Sequence, residues 1–161
     1  MNFNGAIHNA FEDDLHPSLW NIQRNVADWR DAAETSQAEF LHLAFDAKQR
    51  LYWIKQLPKL EKLRFLEIKS KPNQELFEAI CAVPNLERLN IFWSNIIDLT
   101  PIKHLKNLTH FSLGSSPKLD TFDPLAKLES LISLGIDGNH RAICDLSPLS
   151  DLQGLRGLML C

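Results

Sequence analysis

The feature that most constrains this chain is a short apolar pattern that returns at a nearly constant interval. The pattern L-x-x-[LF]-x-[LI] occurs five times, and the first leucines of successive copies are 23, 22, 23 and 24 residues apart. The five copies are Leu63-Leu66-Ile68, Leu86-Leu89-Ile91, Leu108-Phe111-Leu113, Leu131-Leu134-Ile136 and Leu155-Leu158-Leu160. Leucine is concentrated accordingly, with 22 among residues 57–161 and 5 among residues 1–56. Such a period predicts a stack of small units, each burying its apolar face against its neighbours.

A second pattern, with a period of three, precedes the later copies. Ile96, Leu99, Ile102 and Leu105 lead to Leu108 in this way. The equivalent series are Leu119, Phe122, Leu125 and Leu128 before Leu131, and Ile143, Leu146, Leu149 and Leu152 before Leu155. A period of three predicts a tight 3₁₀ turn, because residues i and i+3 then share one side. The alternation inside each copy predicts a short strand.

Each period-three series contains a polar residue followed by proline. The pairs are Thr100-Pro101, Asp123-Pro124 and Ser147-Pro148. We expect the polar side chain to cap the turn, since proline suits the first helical position and lacks a backbone donor. Asp98 and Asp145 lie two residues earlier and are expected to accept hydrogen bonds in the loop. Between Ile68 and Leu86 the pair is missing, and the series Leu76-Phe77-Ile80-Val83 predicts a longer, more regular helix.

Strand, loop and capped turn together resemble the leucine-rich repeat, whose signature is L-x-x-L-x-L-x-x-N/C-x-L. The segments IIDLTPIKHLKNL (96–108) and ICDLSPLSDLQGL (143–155) are most similar to repeats of bacterial internalins and of a leucine-rich phosphatase regulator. The resemblance implies an α/β fold: a right-handed solenoid with a parallel β-sheet on its concave face, short helices or 3₁₀ turns on its convex face, and a helical N-terminal cap. At the asparagine position only Asn139 fits, whereas Lys71, Ser94 and Ser116 replace it elsewhere. Serine can still bond the loop backbone, so we expect a looser side-chain ladder.

The first sixty residues are less regular. Residues 18–34 carry an amphipathic helical stripe with Ser18 as its cap. Residues 36–60 fit two interpretations: one long helix that starts at a Ser36–Glu39 capping box, or a degenerate repeat with its strand near residues 40–44. The resulting division is a helical capping segment at residues 1–37, a degenerate first repeat at 38–62, and about four full repeats plus a final strand at 63–161.

The strand residues between the leucines point away from the core and line the concave face, where this fold usually binds protein. Aromatic and arginine side chains supply most anchors at protein interfaces. The candidate partner-binding residues are Phe65, Glu67, Lys69, Arg88, Asn90, Phe92, Trp93 and His110. The alternative for Trp93 is that it packs against Ile96 and Ile97 and completes the core. At the equivalent positions of the later strands the residues are small. Either they only fill space where nothing binds, or they form a shallow depression for a bulky group of the partner.

No motif for catalysis, metal or cofactor binding is recognisable. The six glycines lack the spacing of a phosphate loop, and HExxH and CxxC are absent. His42, Glu67 and His110 could approach one another on the concave face, but solvated surface residues are the simpler interpretation. Cys81 and Cys144 are expected to be small core residues, and nothing near Cys161 would activate its thiol. We therefore expect a protein that is not an enzyme, with no cofactor and no metal.

Charge and hydropathy narrow the class of partner. The formal charge of −3 gives no basic footprint for nucleic acid, and no apolar run is long enough to cross a membrane. The N-terminus, MNFNGAIHNAFEDDL, does not resemble a Sec signal, which favours a bacterial cytoplasmic protein or an effector exported by another route. The expected partner is a protein. The alternative is the recognition domain of a longer effector or enzyme, with its catalytic module beyond Cys161.

The final strand pattern has no polar residues after it to cover the edge. An uncovered edge strand and its leucines would be prone to associate, so we expect a partner, a second copy or further sequence to cover this edge; the alternative is that the fold tolerates an open end.

Overall fold

The computed structural model describes residues 32–138 and 145–160. The helix expected over residues 18–34, with its Ser18 cap, lies almost entirely outside the described residues. Asn139, Cys144 and Cys161 also lie outside them.

A single parallel sheet of six strands runs through the described part of the chain. The strands follow one another in sequence order, each paired in parallel with the next. They are β1 (Phe40–Leu43), β2 (Phe65–Ile68), β3 (Arg88–Trp93), β4 (His110–Ser115), β5 (Ser133–Ile136) and β6 (Gly157–Leu160). Equivalent pattern positions face each other, as Leu66, Leu89, Phe111, Leu134 and Leu158 do in one row. The predicted strands and their register are confirmed.

The connections between strands are short helices and 3₁₀ turns. They are α1 (Ala32–Gln37) before β1, α2 (Ala47–Gln56) and a 3₁₀ turn (Leu57–Lys59) before β2, α3 (Gln74–Cys81) before β3, and 3₁₀ turns at Thr100–His104, Asp123–Lys127 and Ser147–Asp151. The predicted 3₁₀ turns and the longer helix in the first of the five copies are confirmed. Within residues 32–138 and 145–160, no helix has the length and apolar character needed to cross a membrane.

Residues 36–60 do not form one helix. The strand β1 separates α1 from α2, and α2 begins at its own capping box. There the Asp46 carboxylate accepts hydrogen bonds from Lys48 N and Gln49 N, at 2.8 and 2.9 Å, while Gln49 Oε1 accepts from Asp46 N at 3.0 Å. The box expected at Ser36 and Glu39 starts no helix, because α1 ends at Gln37.

The strand β1 joins the sheet through the same backbone junction that links the later repeats. The carbonyl of Glu39 accepts from Arg64 N and Phe65 N, at 2.9 and 3.0 Å. The carbonyl of Arg64 accepts in the same way from Glu87 N and Arg88 N, at 2.8 and 2.9 Å. One carbonyl thus fixes two successive amides at the start of each next strand. This geometry supports treating residues 38–62 as a repeat, although the domain boundaries stay a prediction.

The apolar positions of the repeats form one continuous core. Leu66, Leu89, Phe111 and Leu134 are fully buried, and the described period-three residues other than Leu146 pack against them. Burial of such a side chain stabilises the fold by about 1.5–3 kcal/mol relative to exposure. Trp53 of α2 joins the same core from the first repeat.

A serine pair occupies the asparagine position of the repeat in the middle of the stack. Ser94 and Ser116 are fully buried, and their hydroxyls are hydrogen-bonded to each other. The Ser116 hydroxyl donates to Gly114 O at 3.1 Å, and Ser94 Oγ accepts from Ile96 N at 3.3 Å. Because Ser116 uses its proton on Gly114, the Ser94 hydroxyl must donate within the pair. The serines therefore bond loop backbone as predicted, and they also link two repeats directly.

The 3₁₀ turns are capped two residues earlier than predicted. The carboxylate of Asp98 accepts from Thr100 N at 2.7 Å, and that of Asp145 accepts from Ser147 N at 2.8 Å. Thr121 Oγ1 does the same for Asp123 N at 3.1 Å. No side-chain cap comes from the residue before the proline, because that residue is the first of the turn and donates its own amide. Asp98 and Asp145 are thus the loop acceptors that the sequence predicts.

Candidate protein-binding surface

The candidate residues other than Trp93 alternate with the buried apolar residues of the strands, on the face of the sheet here called the outer face. Trp93 follows Phe92 at the end of β3. One row across this face is Phe65, Arg88, His110, Ser133 and Gly157, and the next is Glu67, Asn90, Ser112, Gly135 and Met159. The strand β1 adds Phe40 and His42 to these rows. The predicted columns are therefore present, and they extend one strand further.

Four of the eight candidate residues are buried, namely Phe65, Glu67, Asn90 and His110. Phe65 packs with Phe40 in a small apolar cluster, and the Arg88 guanidinium lies 5.4 Å from the centre of the Phe65 ring. Neighbouring strands lie close enough for such side chains to cover one another. These four residues contribute little exposed area, so the accessible candidates are Lys69 and Trp93, with Phe92 and Arg88 in part.

The buried Glu67 carboxylate is surrounded by polar partners. Its Oε1 lies 3.3 Å from His42 Nδ1 and 3.6 Å from Lys69 Nζ, and its Oε2 accepts from Asn90 Nδ2 at 3.4 Å. A buried carboxylate needs such partners because it has lost its hydration. The structure therefore brings His42 and Glu67 together, but His110 Nδ1 lies instead 2.9 Å from Thr109 Oγ1. No group of three potential metal ligands forms among the described residues.

Trp93 and its neighbours form the exposed part of the candidate site. Trp93 is 54% exposed, and the Phe92 and Trp93 ring centres are 5.8 Å apart with a tilt of 41°. Lys69 Nζ lies 5.6 Å from the centre of the Phe92 ring. Ile97, on the following loop, is 52% exposed. We call Lys69, Phe92, Trp93 and Ile97 the Trp93 surface.

The interpretation that Trp93 completes the core is wrong. Ile96 alone enters the core, fully buried, whereas Trp93 and Ile97 remain exposed. The strands β3 and β4 have six residues each, two more than the other strands, and Trp93 pairs with Ser115 in this extension. The extension carries Trp93 past the part of the strand that the core covers.

Gly114 permits this geometry, a role that the sequence reasoning missed. A Cβ at position 114 would lie 1.8 Å from the carbonyl oxygen of Phe92, so only glycine allows the two backbones to approach this closely. A glycine inside a strand pattern often marks such a close approach, and that signal was present in the sequence. Ile97 was also missed as a surface residue, because its loop position alone does not say whether it packs inward.

The thiol of Cys81 is inert in this fold. The side chain is buried in the core at the end of α3. Burial raises the pKa of the Cys81 thiol well above its ordinary value, and the charge of Glu78 raises it further. The neutral thiol behaves as a small apolar residue, as the sequence predicts.

Comparison with known proteins supports the fold. No protein-family model matches the chain, and no curated protein matches it. The chain is similar to the solved structure of an internalin (inlF) from Listeria monocytogenes, with 25% identity and a TM-score of 0.58, over 83% of this chain and 38% of that one. It is also similar to internalin C2 (inlC2) of the same bacterium, with 23% identity and a TM-score of 0.53, over 83% of this chain and 57% of that one.

The chain thus spans well under two thirds of either internalin structure. The shared features are the parallel sheet and the alternation of strands with short helices and 3₁₀ turns. The chain has a leucine-rich-repeat fold like that of the internalins.

Proposed function

We propose that this protein is a binding module that takes up a partner protein on the Trp93 surface. The observation that carries the proposal is the exposure of Trp93 in the middle of the stack. The large apolar side chains that are exposed in the described part of the chain fall into three groups: Leu51 and Tyr52 on α2, Leu146, Leu158 and Leu160 in the last repeat, and Trp93 with Ile97. Only the third group lies between repeats that already have a neighbour on both sides.

An exposed tryptophan in that place, next to the half-buried Phe92, supports a role in binding rather than in holding the fold together. An end repeat exposes apolar side chains because it has a neighbour on one side only, whereas a middle repeat can bury them. Aromatic side chains supply large contact area at low entropic cost and dominate many protein interfaces. Phe92 is held by the Lys69 contact, and the Glu67 network in turn positions Lys69. The partner would therefore meet a preorganised surface. The leucine-rich-repeat fold is typically non-catalytic, which agrees with this role.

Affinity capture from a bacterial lysate tests the proposal. The bait proteins are the wild type, the Phe92→Ala/Trp93→Ala variant, and a Leu51→Ala/Tyr52→Ala control that removes an exposed apolar pair from α2. The expected result is a protein that the wild type and the control retain and that the Phe92/Trp93 variant loses. Equal retention by all three proteins would refute the Trp93 surface as the binding site. Thermal melting of each bait checks that the three proteins are equally stable.

Self-association through β6 is a second candidate, and a specific observation favours it. Leu158 and Leu160 are 49% and 38% exposed on a strand that has a partner on one side only. Unpaired strand backbone next to apolar side chains is a template for pairing with another chain. Static light scattering at micromolar concentration tests this candidate: a dimer mass that Leu158→Asp abolishes would support it, and a monomer mass would exclude it.

The identity of the whole protein also remains a proposal. Because the chain spans 38% and 57% of the two internalin structures, it could equally serve as the recognition domain of a longer effector or enzyme. The test is whether the natural reading frame continues past Cys161 into a catalytic module. A bacterial cytoplasmic location, or export by a route without an apolar signal, is likewise a prediction.

A further inference from the structure

The Trp93 surface is flanked by two lysines on neighbouring loops. The loops that follow β2, β3 and β4 are hydrogen-bonded side by side: Asn95 N donates to Pro72 O at 2.9 Å, and Ser94 N donates to Ser115 O at 2.9 Å. Lys71 directly precedes Pro72, and Lys118 lies three residues beyond Ser115. Adjacent strands are about 4.8 Å apart, so these two lysines follow strands about 10 Å apart, with Trp93 on the strand between them.

The electrostatic character of this region differs from that of the whole chain. The chain has a formal charge of −3, yet Lys69, Lys71 and Lys118 are all exposed around Trp93. Neither Lys71 nor Lys118 forms an ion pair with a carboxylate of the described residues. Lys69 does contact Glu67, but its side chain remains 45% exposed. Three exposed lysines therefore lie on the loops that follow the strands on either side of Trp93.

Two of the nearby carboxylates, those of Glu67 and Asp98, are engaged by several groups of their own surroundings. Glu67 is buried, and Lys69, His42 and Asn90 share its two oxygens. Asp98 directs its carboxylate to the amide of Thr100 at 2.7 Å. The hydroxyl and the amide of Thr100 hold the pKa of Asp98 below its ordinary value, so it stays charged within its own loop. Asp120, two residues after Lys118, marks the acidic border of the region.

We infer that the partner presents an apolar or aromatic side chain flanked by carboxylates. This inference rests on the proposed function and specifies the chemistry of its ligand. The apolar side chain would be buried against Trp93 and Ile97, and the flanking carboxylates would meet Lys69, Lys71 and Lys118. Complementary charges at the rim of an interface steer association and select among partners with similar apolar anchors. A basic segment of the same shape would be repelled.

A phage-displayed library of random 12-residue peptides tests this chemistry, with counter-selection on the Trp93→Ala variant. The expected sequences carry Asp or Glu on both sides of an aromatic or aliphatic residue. Neutral or basic sequences, or no enrichment over the counter-selection, would overturn the inference.

Reversing the charges of Lys71 and Lys118 tests separately whether the partner's carboxylates contribute to binding. The selected peptides should bind the Lys71→Glu/Lys118→Glu variant about tenfold more weakly or worse, and more weakly as the salt concentration rises. The matched control is Lys106→Glu/Lys127→Glu, which changes the net charge equally. Its lysines are exposed and precede β4 and β5, at the opposite ends of the strands. Equal weakening in both variants would refute a local charge effect.

The same variants separate this inference from the proposed function. If capture depends on Trp93 but is unchanged by Lys71→Glu/Lys118→Glu, the partner chemistry is wrong and the binding role stands. If capture is independent of Trp93, both fail.

Discussion

The strands β5 and β6 carry the same apolar pattern, but its side chains are buried in β5 and largely exposed in β6. In β5, Leu134 is fully buried and Ile136 nearly so, whereas the equivalent Leu158 and Leu160 of β6 are 49% and 38% exposed. The same holds for the turns before them, where Phe122 is buried and Leu146 is exposed. The pattern therefore decides which way a side chain points, and the neighbouring repeat decides whether it is buried. Burial in a stack is a property of pairs of repeats.

The largest expected effect is at this matched pair of leucines. Leu134→Asp removes a fully buried side chain and adds a carboxylate without a partner, at a cost of more than about 4 kcal/mol. Because small domains have only about 5–15 kcal/mol of stability, the array should be largely or wholly unfolded. Leu158→Asp, at the equivalent exposed position, should change the free energy of unfolding by about 0.5 kcal/mol or less. Urea unfolding followed by circular dichroism measures both, and equal costs would show that the two repeats are not packed differently.

Two glycines allow a comparison of backbone packing, because another backbone segment lies very close to one of them and not to the other. Gly114→Ala places a Cβ 1.8 Å from Phe92 O, so β3 and β4 must move apart, at an expected cost of about 2 kcal/mol or more. Gly154→Ala meets nothing closer than Leu131 O at 3.5 Å. This substitution should be neutral, or stabilising by up to about 1 kcal/mol, because it restricts the unfolded chain. Melting temperatures that fall equally for both variants would contradict the close approach at Gly114.

The loop carboxylates give a smaller effect that depends on pH. The hydrogen bonds from Thr100 lower the pKa of Asp98 from its ordinary 3.8, and those from Ser147, the amide first, lower that of Asp145. A lowered pKa means that the stabilisation is fully present above about pH 4 and is lost as the pH falls through the folded value. At pH 7, Asp98→Ala should cost about 0.5–1 kcal/mol, and Asp145→Ala should destabilise in the same direction.

Urea unfolding at pH 7 and again near pH 2.5 tests this pair of variants. The difference between wild type and Asp98→Ala should shrink at the lower pH, because the protonated carboxyl is a poorer acceptor. A difference that stays constant or grows as the pH falls would contradict the assignment of the bonds to the ionised form.

A further comparison is between an exposed tryptophan, Trp93, and a buried one, Trp53. Trp93→Ala removes a side chain that is more than half exposed, so the free energy of unfolding should fall by about 1 kcal/mol or less. Trp53→Ala, the matched control in the core, should cost about 3–5 kcal/mol. Similar losses would mean that Trp93 is part of the core and would weaken its assignment to binding.

The sequence predicted the repeat register, the strands and the 3₁₀ turns, because each depends on a spacing between apolar residues that can be counted directly in the sequence. It misplaced the caps, since Asp98 and Thr100 both precede Pro101 and spacing alone does not say which oxygen accepts. It also indicated that four candidate residues face away from the core, namely Phe65, Glu67, Asn90 and His110. It did not indicate that neighbouring side chains bury them. Alternation along a strand fixes the direction of a side chain, whereas its exposure depends on contacts across strands.

Photo-crosslinking at position 93 tests the central claim most directly. Benzoylphenylalanine replaces Trp93 in one protein and Tyr52, an exposed aromatic residue on α2, in a matched control. After irradiation in lysate, a partner protein bound on the Trp93 surface should become covalently attached at position 93 and not at position 52. Capture of a partner by the wild type with no adduct at position 93, or with equal adducts at both positions, would contradict the account.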